Sequence, residues 1–172
     1  MPRLPLVTIA DVSDSYHDSY RLAIGRSSGL TTTIQTLFCK PRLAELLDGV
    51  HDDILKTSGM EPWIACTVGL TVAHELDNHS IWEALLTVAA TVGVRGAVVD
   101  AIAAGTAPRG LLPKEGIWAH FSKEILNGEV RDSTWQAVTH LVGDEGAIAL
   151  AALVCYYEMM CRLNTTFQLE RG

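Results

Sequence analysis

Residues 61–79, EPWIACTVGLTVAHELDNH, followed without a break by SIWEALLTVAATV to residue 92, decide the fold. Ile64, Val68 and Leu70 recur at helical spacing on one side of the segment, and Ile81, Leu85, Val88 and Val92 on the other. Helical periodicity in two such apolar runs predicts two packed helices. Between them lies His74-Glu75-Leu76-Asp77-Asn78-His79, four ionisable groups in six residues. Charged side chains are costly to bury unpaired. The segment is therefore either a polar helix junction, with Asn78 or Asp77 capping the second helix, or a site of chemistry.

Outward from this pair the same signals repeat. Pro41 suits a first helical turn, Leu43, Leu46, Leu47, Val50, Ile54 and Leu55 follow at helical spacing, and Gly59 stops the helix. Gly93 or Gly96 ends the helix that starts after the polar segment. Residues 97–104 make a short helix closed by Gly105 and Pro108. Pro113 opens a helix striped by Ile117, Trp118, Phe121, Ile125 and Leu126, and Asp132 caps one that Gly143 stops. Residues 146–163 are apolar nearly all round, as in a helix central to a bundle or held between subunits. Residues 1–29, broken by Pro2, Pro5, Gly25, Ser27, Ser28 and Gly29, read as an arm or a loosely attached short helix. No stretch alternates with period two. The expectation is an all-α helical domain over residues 30–172.

The composition narrows the partners. Of the 172 residues 48% are hydrophobic and 19% charged, and mean hydropathy is +0.21. The longest uncharged apolar runs, 62–73, 84–94 and 146–157, fall short of the roughly 18 residues a membrane span takes. The surplus apolar surface points instead to subunit interfaces, and so to a homo-oligomer: a dimer, trimer or hexamer. A net charge of −7 without a basic cluster argues against nucleic acid. The first 30 residues hold no uninterrupted apolar core of a secretory signal, and Cys39, Cys66, Cys155 and Cys161 show no C-x-x-C spacing. Four free, buried thiols and a cytoplasmic location are expected.

Within the polar segment, Glu75 and His79 are four apart, which on one continuous helix places them on one face. A carboxylate beside an imidazole is acid/base equipment at neutral pH. His74 is a second imidazole, and Glu61 sits at the start of the preceding helix, where the helix dipole also favours an acid. His74-Glu75 begins like H-E-x-x-H, but His74 and His79 are five apart, about 140° around a helix, so no metal site is expected. His17, His51, His120 and His140 read as surface or satisfied histidines. No phosphate loop occurs, and no cofactor is expected.

Four segments together resemble the carboxymuconolactone decarboxylase family, within the wider alkyl hydroperoxidase D-like (AhpD-like) fold. Residues 61–79 are similar to its Glu-led helix and Glu-x-x-x-His turn. Residues 112–127 resemble its L-x-P-x-E…F-x-x-E-L-L helix, GEVRDSTW at 128–135 its G-x-V-x-D-x-x-W step, and AALVCYYEMMCRLNTTFQL at 151–169 its C-terminal helix. The likeness covers roughly residues 34–169. It implies an oligomeric helical bundle and places Glu75 and His79 on the family's Glu-x-x-x-His, with Glu61 on its early helix glutamate. Asn78 stands where many relatives have the first of two histidines. Val72 and Glu75 stand where peroxidase-type members carry C-x-x-C, so thiol chemistry lacks its nucleophile.

What the resemblance implies is a cofactor-free lyase or isomerase. It would decarboxylate, dehydrate or rearrange a small carboxylated or enolisable cyclic substrate. His79 would donate or shuttle the proton, Glu75 would orient it, His74 would be a second acid/base, and Glu61 would accept a substrate hydrogen bond. The competing expectation is a non-catalytic helical oligomer that binds a small molecule or a partner.

Overall fold

The computed structural model describes residues 2–26, 28–105 and 111–169. The expected breakers Ser27 and Pro108 lie outside them. Among the described residues eight α-helices follow two short 3-10 turns, and there is no strand. They are α1 (His17–Ile24), α2 (Thr31–Leu37), α3 (Pro41–Ser58), α4 (Pro62–Glu75), α5 (His79–Val92), α6 (Gly96–Ala104), α7 (Pro113–Leu126) and α8 (Asp132–Phe167).

Proline at the first turn opens α3, α4 and α7, where its missing N–H costs nothing. Gly59, Gly93 and Gly105 close α3, α5 and α6 in the left-handed conformation. Asp132 is the first residue of α8 rather than its cap, a role that falls to Arg131. At Gly143 the backbone turns to φ 71° and ψ 175°, a non-helical kink that ends the first leg of α8, as the sequence leads one to expect, and a second leg follows. Only glycine takes that backbone shape without steric cost.

The central element is α4, not the last helix. Every residue from Ile64 to Ala73 is buried, because α5, α6, α7 and α8 all pack around it. Burying side chains such as Val68, Leu70 and Val72, each 0% exposed, contributes about 1.5–3 kcal/mol apiece. At Gly69 the helices touch: a Cβ there would lie 2.8 Å from the Tyr157 ring of α8. The last leg of α8 has one buried face, carrying Leu150, Leu153, Val154, Tyr157 and Met160. Its opposite face leaves Ile148 63% exposed, with Ala152 and Cys155 exposed beside it.

Among the described residues of 1–29, several pack into the core rather than forming a loosely attached arm. Val7, Val12, Tyr20 and Ala23 belong to the core, and the Tyr20 hydroxyl donates to the Val7 carbonyl at 2.8 Å. The Arg3 backbone N–H donates to Phe167 O at 2.9 Å, and the Tyr157 hydroxyl donates to Ser28 O at 3.0 Å. These bonds tie the chain's start to α8.

Candidate active site

The polar segment is a tight reversal between two helices. α4 ends at Glu75, Asp77 takes a positive φ of 56°, and α5 begins at His79. Asp tolerates that conformation better than most residues. Asn78 fixes the reversal. It is 1% exposed, and its Oδ1 accepts the Ile81 N–H at 3.1 Å as the cap of α5. Its Nδ2 donates to Cys161 O at 3.2 Å and to Asn164 Oδ1 at 3.3 Å on α8. Asn164 in turn donates to Thr33 Oγ1 of α2 at 2.9 Å. The position where the family resemblance expects a proton-transfer histidine thus holds a buried structural amide.

Because the helix ends at Glu75, Glu75 and His79 do not share a helical face. The Glu75 carboxylate pairs with Lys123 Nζ of α7 at 3.2 Å instead of meeting His79. The two imidazoles do come together: His74, Asp77, His79 and Trp82 line one concavity of about 130 Å³, with Ala103 of α6 on its far side. The His74 ring lies against Trp82, centroids 5.7 Å apart. His79 is exposed and His74 half-buried.

Glu61 lies elsewhere. It caps the opposite end of α4, about 20 Å away along a 14-residue helix. Its carboxylate accepts the Trp63 indole N–H, and both residues line a separate cavity of about 400 Å³. Lys114, Trp118, Val142 and Leu150 line that cavity too. Helices α4 and α7 run in the same direction: their first turns share this cavity, and the Glu75–Lys123 pair ties their far ends.

One polar cluster was missed by the sequence reading. His51 is 4% exposed, neither on the surface nor satisfied, and its Nε2 has no hydrogen-bond partner among the described residues. Its ring packs on Tyr156 at 5.2 Å and edge-on to Tyr157 at 5.9 Å. One turn away Asp48, 5% exposed, receives the Arg26 Nε–H at 3.0 Å, and Arg26 also bonds Asp52. Burial, with the Arg26 charge adding to it, pushes the His51 imidazole down to about 4. Burial pushes the Asp48 carboxyl up against the pull of Arg26.

The thiols do not form a redox pair. All four are free; Cys66 and Cys161 are buried, whereas Cys39 and Cys155 are exposed, against the expectation of four buried thiols. Burial pushes the Cys66 thiol up to about 12, far from thiolate chemistry. Among the described residues no three His, Cys, Asp or Glu side chains converge as metal ligands. No protein-family model matches this chain, nor does any curated protein or solved structure.

Proposed function

We propose that the protein is a cofactor-independent acid/base enzyme that decarboxylates, dehydrates or rearranges a small carboxylated or enolisable cyclic compound. The observation that carries the reading is the pair of imidazoles, His74 and His79, on one concavity at the α4–α5 reversal, with Trp82 in its lining. Two imidazoles on one cavity can divide the acid and the base roles of a proton transfer between them. His79 is the proton donor or shuttle and His74 the second acid/base. Glu75, paired with Lys123, ties the end of α4 to α7 rather than orienting His79 directly. Glu61 stands outside this concavity.

His79→Ala lowers turnover by about 10²–10⁴-fold, and His74→Ala by a similar factor. Because His79 is exposed, its removal leaves helicity and melting temperature unchanged. The assay is CO₂ release and absorbance change across a panel of unsaturated lactones and β-keto acids. An active wild type whose His79→Ala variant keeps turnover within a few-fold disproves the proton role.

In this reading the protein is also a cytoplasmic homo-oligomer. Ile148, Ala152, Cys155 and Met159 of α8 recur at intervals of four, three and four, an apolar seam on the helix's outer face. α8 is also long and apolar enough, by length and composition, to cross a membrane, with 33% of its most apolar window buried. A subunit contact covers such a seam as well as lipid does. Light scattering in detergent-free buffer is expected to give a mass that is a multiple of 18.6 kDa. Ile148→Asp is expected to reduce that mass, and a wild-type monomer refutes the assembly. A second reading, a non-catalytic oligomer, is favoured by the exposure of Glu75 and His79. It predicts no turnover with any member of the panel.

A further inference from the structure

The largest of the cavities described above is not the one that carries the imidazoles. It measures about 400 Å³, inside the roughly 300–1,000 Å³ usual for small-ligand sites. The break at Gly143 shapes it. Leu141 and Val142 before the break, and Gly146 and Leu150 after it, all line the cavity, so the bent helix forms an apolar wall. Ile64 and the buried Trp118 add to that wall, and the Trp118 indole N–H has no hydrogen-bond partner among the described residues.

The other side of the cavity is charged. Lys114 is exposed there and forms no ion pair among the described residues. Two parallel 14-residue helices begin there as well, α4 with Glu61 and Trp63 and α7 with Lys114. Each helix N-terminus carries about half a positive charge from its unpaired N–H groups. Glu61 is the single carboxylate in the lining, and it already accepts the Trp63 indole N–H; Glu115, in the first turn of α7, is matched by the Arg95 guanidinium. Lys114 together with two helix ends outweighs Glu61, so the charged side is net positive.

We propose that this cavity binds a small organic monocarboxylate with an apolar ring or branched body. Lys114 and the helix N-termini hold the carboxylate, and the body lies against Trp118, Val142 and Leu150. A carboxylate suits a lysine beside helix N–H groups because it is compact and singly charged. The inference stands apart from the reading of His74 and His79, which occupy the opposite end of α4.

The probe is benzoate, with benzamide as its uncharged counterpart, titrated into the full-length protein. Calorimetry and tryptophan fluorescence give the readouts, since Trp63 and Trp118 both line the cavity. Benzoate is expected to bind saturably and about tenfold more tightly than benzamide. Lys114→Gln is expected to weaken benzoate about tenfold. Glu61→Gln, which removes the one opposing charge, is expected to tighten it about fivefold. These opposite signs separate recognition from a structural role, and circular dichroism verifies that both variants remain folded. His79→Ala is expected to leave benzoate affinity unchanged, which keeps this test independent of the turnover assay. Absence of saturable benzoate binding at millimolar concentration, equal affinity for benzamide, or no response to Lys114→Gln overturns the proposal. So does weakened binding in Glu61→Gln or lost binding in His79→Ala.

Discussion

Asn78→Leu is expected to lower the free energy of unfolding by about 3–5 kcal/mol, close to half of what a domain of this size has to lose. Leucine has the same branched shape and the same number of side-chain heavy atoms, though its methyls are bulkier, so most of the loss is one of hydrogen bonds. The substitution removes the cap at the Ile81 N–H, worth about 1 kcal/mol. It also takes one donor from the buried Asn164 Oδ1, which keeps the Ser80 hydroxyl at 3.1 Å, and leaves the buried Ile81 N–H without its acceptor. A buried polar group left without its partner costs about 1–3 kcal/mol, whereas a bond exchanged with water costs far less. Asn78→Ser keeps a capping oxygen and is expected to recover about 1 kcal/mol. The measurement is denaturant unfolding, read as a lower midpoint at an unchanged slope. A loss below about 1 kcal/mol for Asn78→Leu means that these hydrogen bonds do not hold the reversal. The consequence reaches the proposed site, because Asn78 sets where α5 begins and hence where His79 sits.

Much of this architecture was legible where apolar spacing and helix punctuation agree. Pro41 and Gly59 delimit α3, Pro113 opens α7, and the two runs flanking the polar segment are α4 and α5. The all-α class follows from these alone. Other parts were not legible, for physical reasons. α2 begins Thr-Thr-Thr, a β-branched polar run that sequence periodicity does not mark as helical; packing of Ile34 and Leu37 into the core holds it there. The N-terminal anchors Val7, Val12 and Tyr20 are spaced too irregularly to form a stripe. By contrast the break at Gly143 was legible as a helix stop, and a second helical leg follows it.

The site was half legible for a related reason. A polar cluster between apolar helices does mark the reversal, and it gathers His74 and His79. Sequence spacing assumed one continuous helix through Glu75 and His79, and the Asp77 turn separates them. α3 misled more deeply because it inverts the usual arrangement. It exposes Leu43, Leu46 and Val50 by 40%, 50% and 48%, and it buries Asp48 and His51 at 5% and 4%. Of the six apolar residues at helical spacing, Leu47, Ile54 and Leu55 pack on the core, and the polar Asp48 and His51 share the buried face with Ala44 and Ile54. The spacing 44, 48, 51, 54 was present in the sequence, but hydrophobicity alone assigns Asp and His to water.

That inversion makes acid sensitivity the second large effect: stability is expected to fall by about 3 kcal/mol between pH 6.5 and pH 4 on account of His51 alone. The fold accepts His51 neutral. An unfolded chain takes up a proton there below about pH 6.5, whereas the folded chain resists until about pH 4, because burial and the Arg26 charge oppose the imidazolium. Between those values the unfolded state binds more protons, so stability drops as pH falls. Asp52 pulls the other way, and its Lys56 partner partly cancels that pull. Tyr156 and Tyr157 of α8 pack the ring, and Cys66 of α4 lines the same cavity as His51; burial keeps all three neutral throughout. Asp48 works in the opposite sense: its raised carboxyl binds a proton in the folded state first, which offsets part of the loss at the acid end of the window. His51→Leu isolates the imidazole. At pH 7.5 the variant is expected to match or exceed wild type, because an unpartnered buried nitrogen is replaced by apolar atoms. Its advantage is expected to widen steadily toward pH 4.5 in paired urea titrations. Parallel pH profiles for the two proteins show that His51 is protonated in the folded chain and that burial does not hold it neutral.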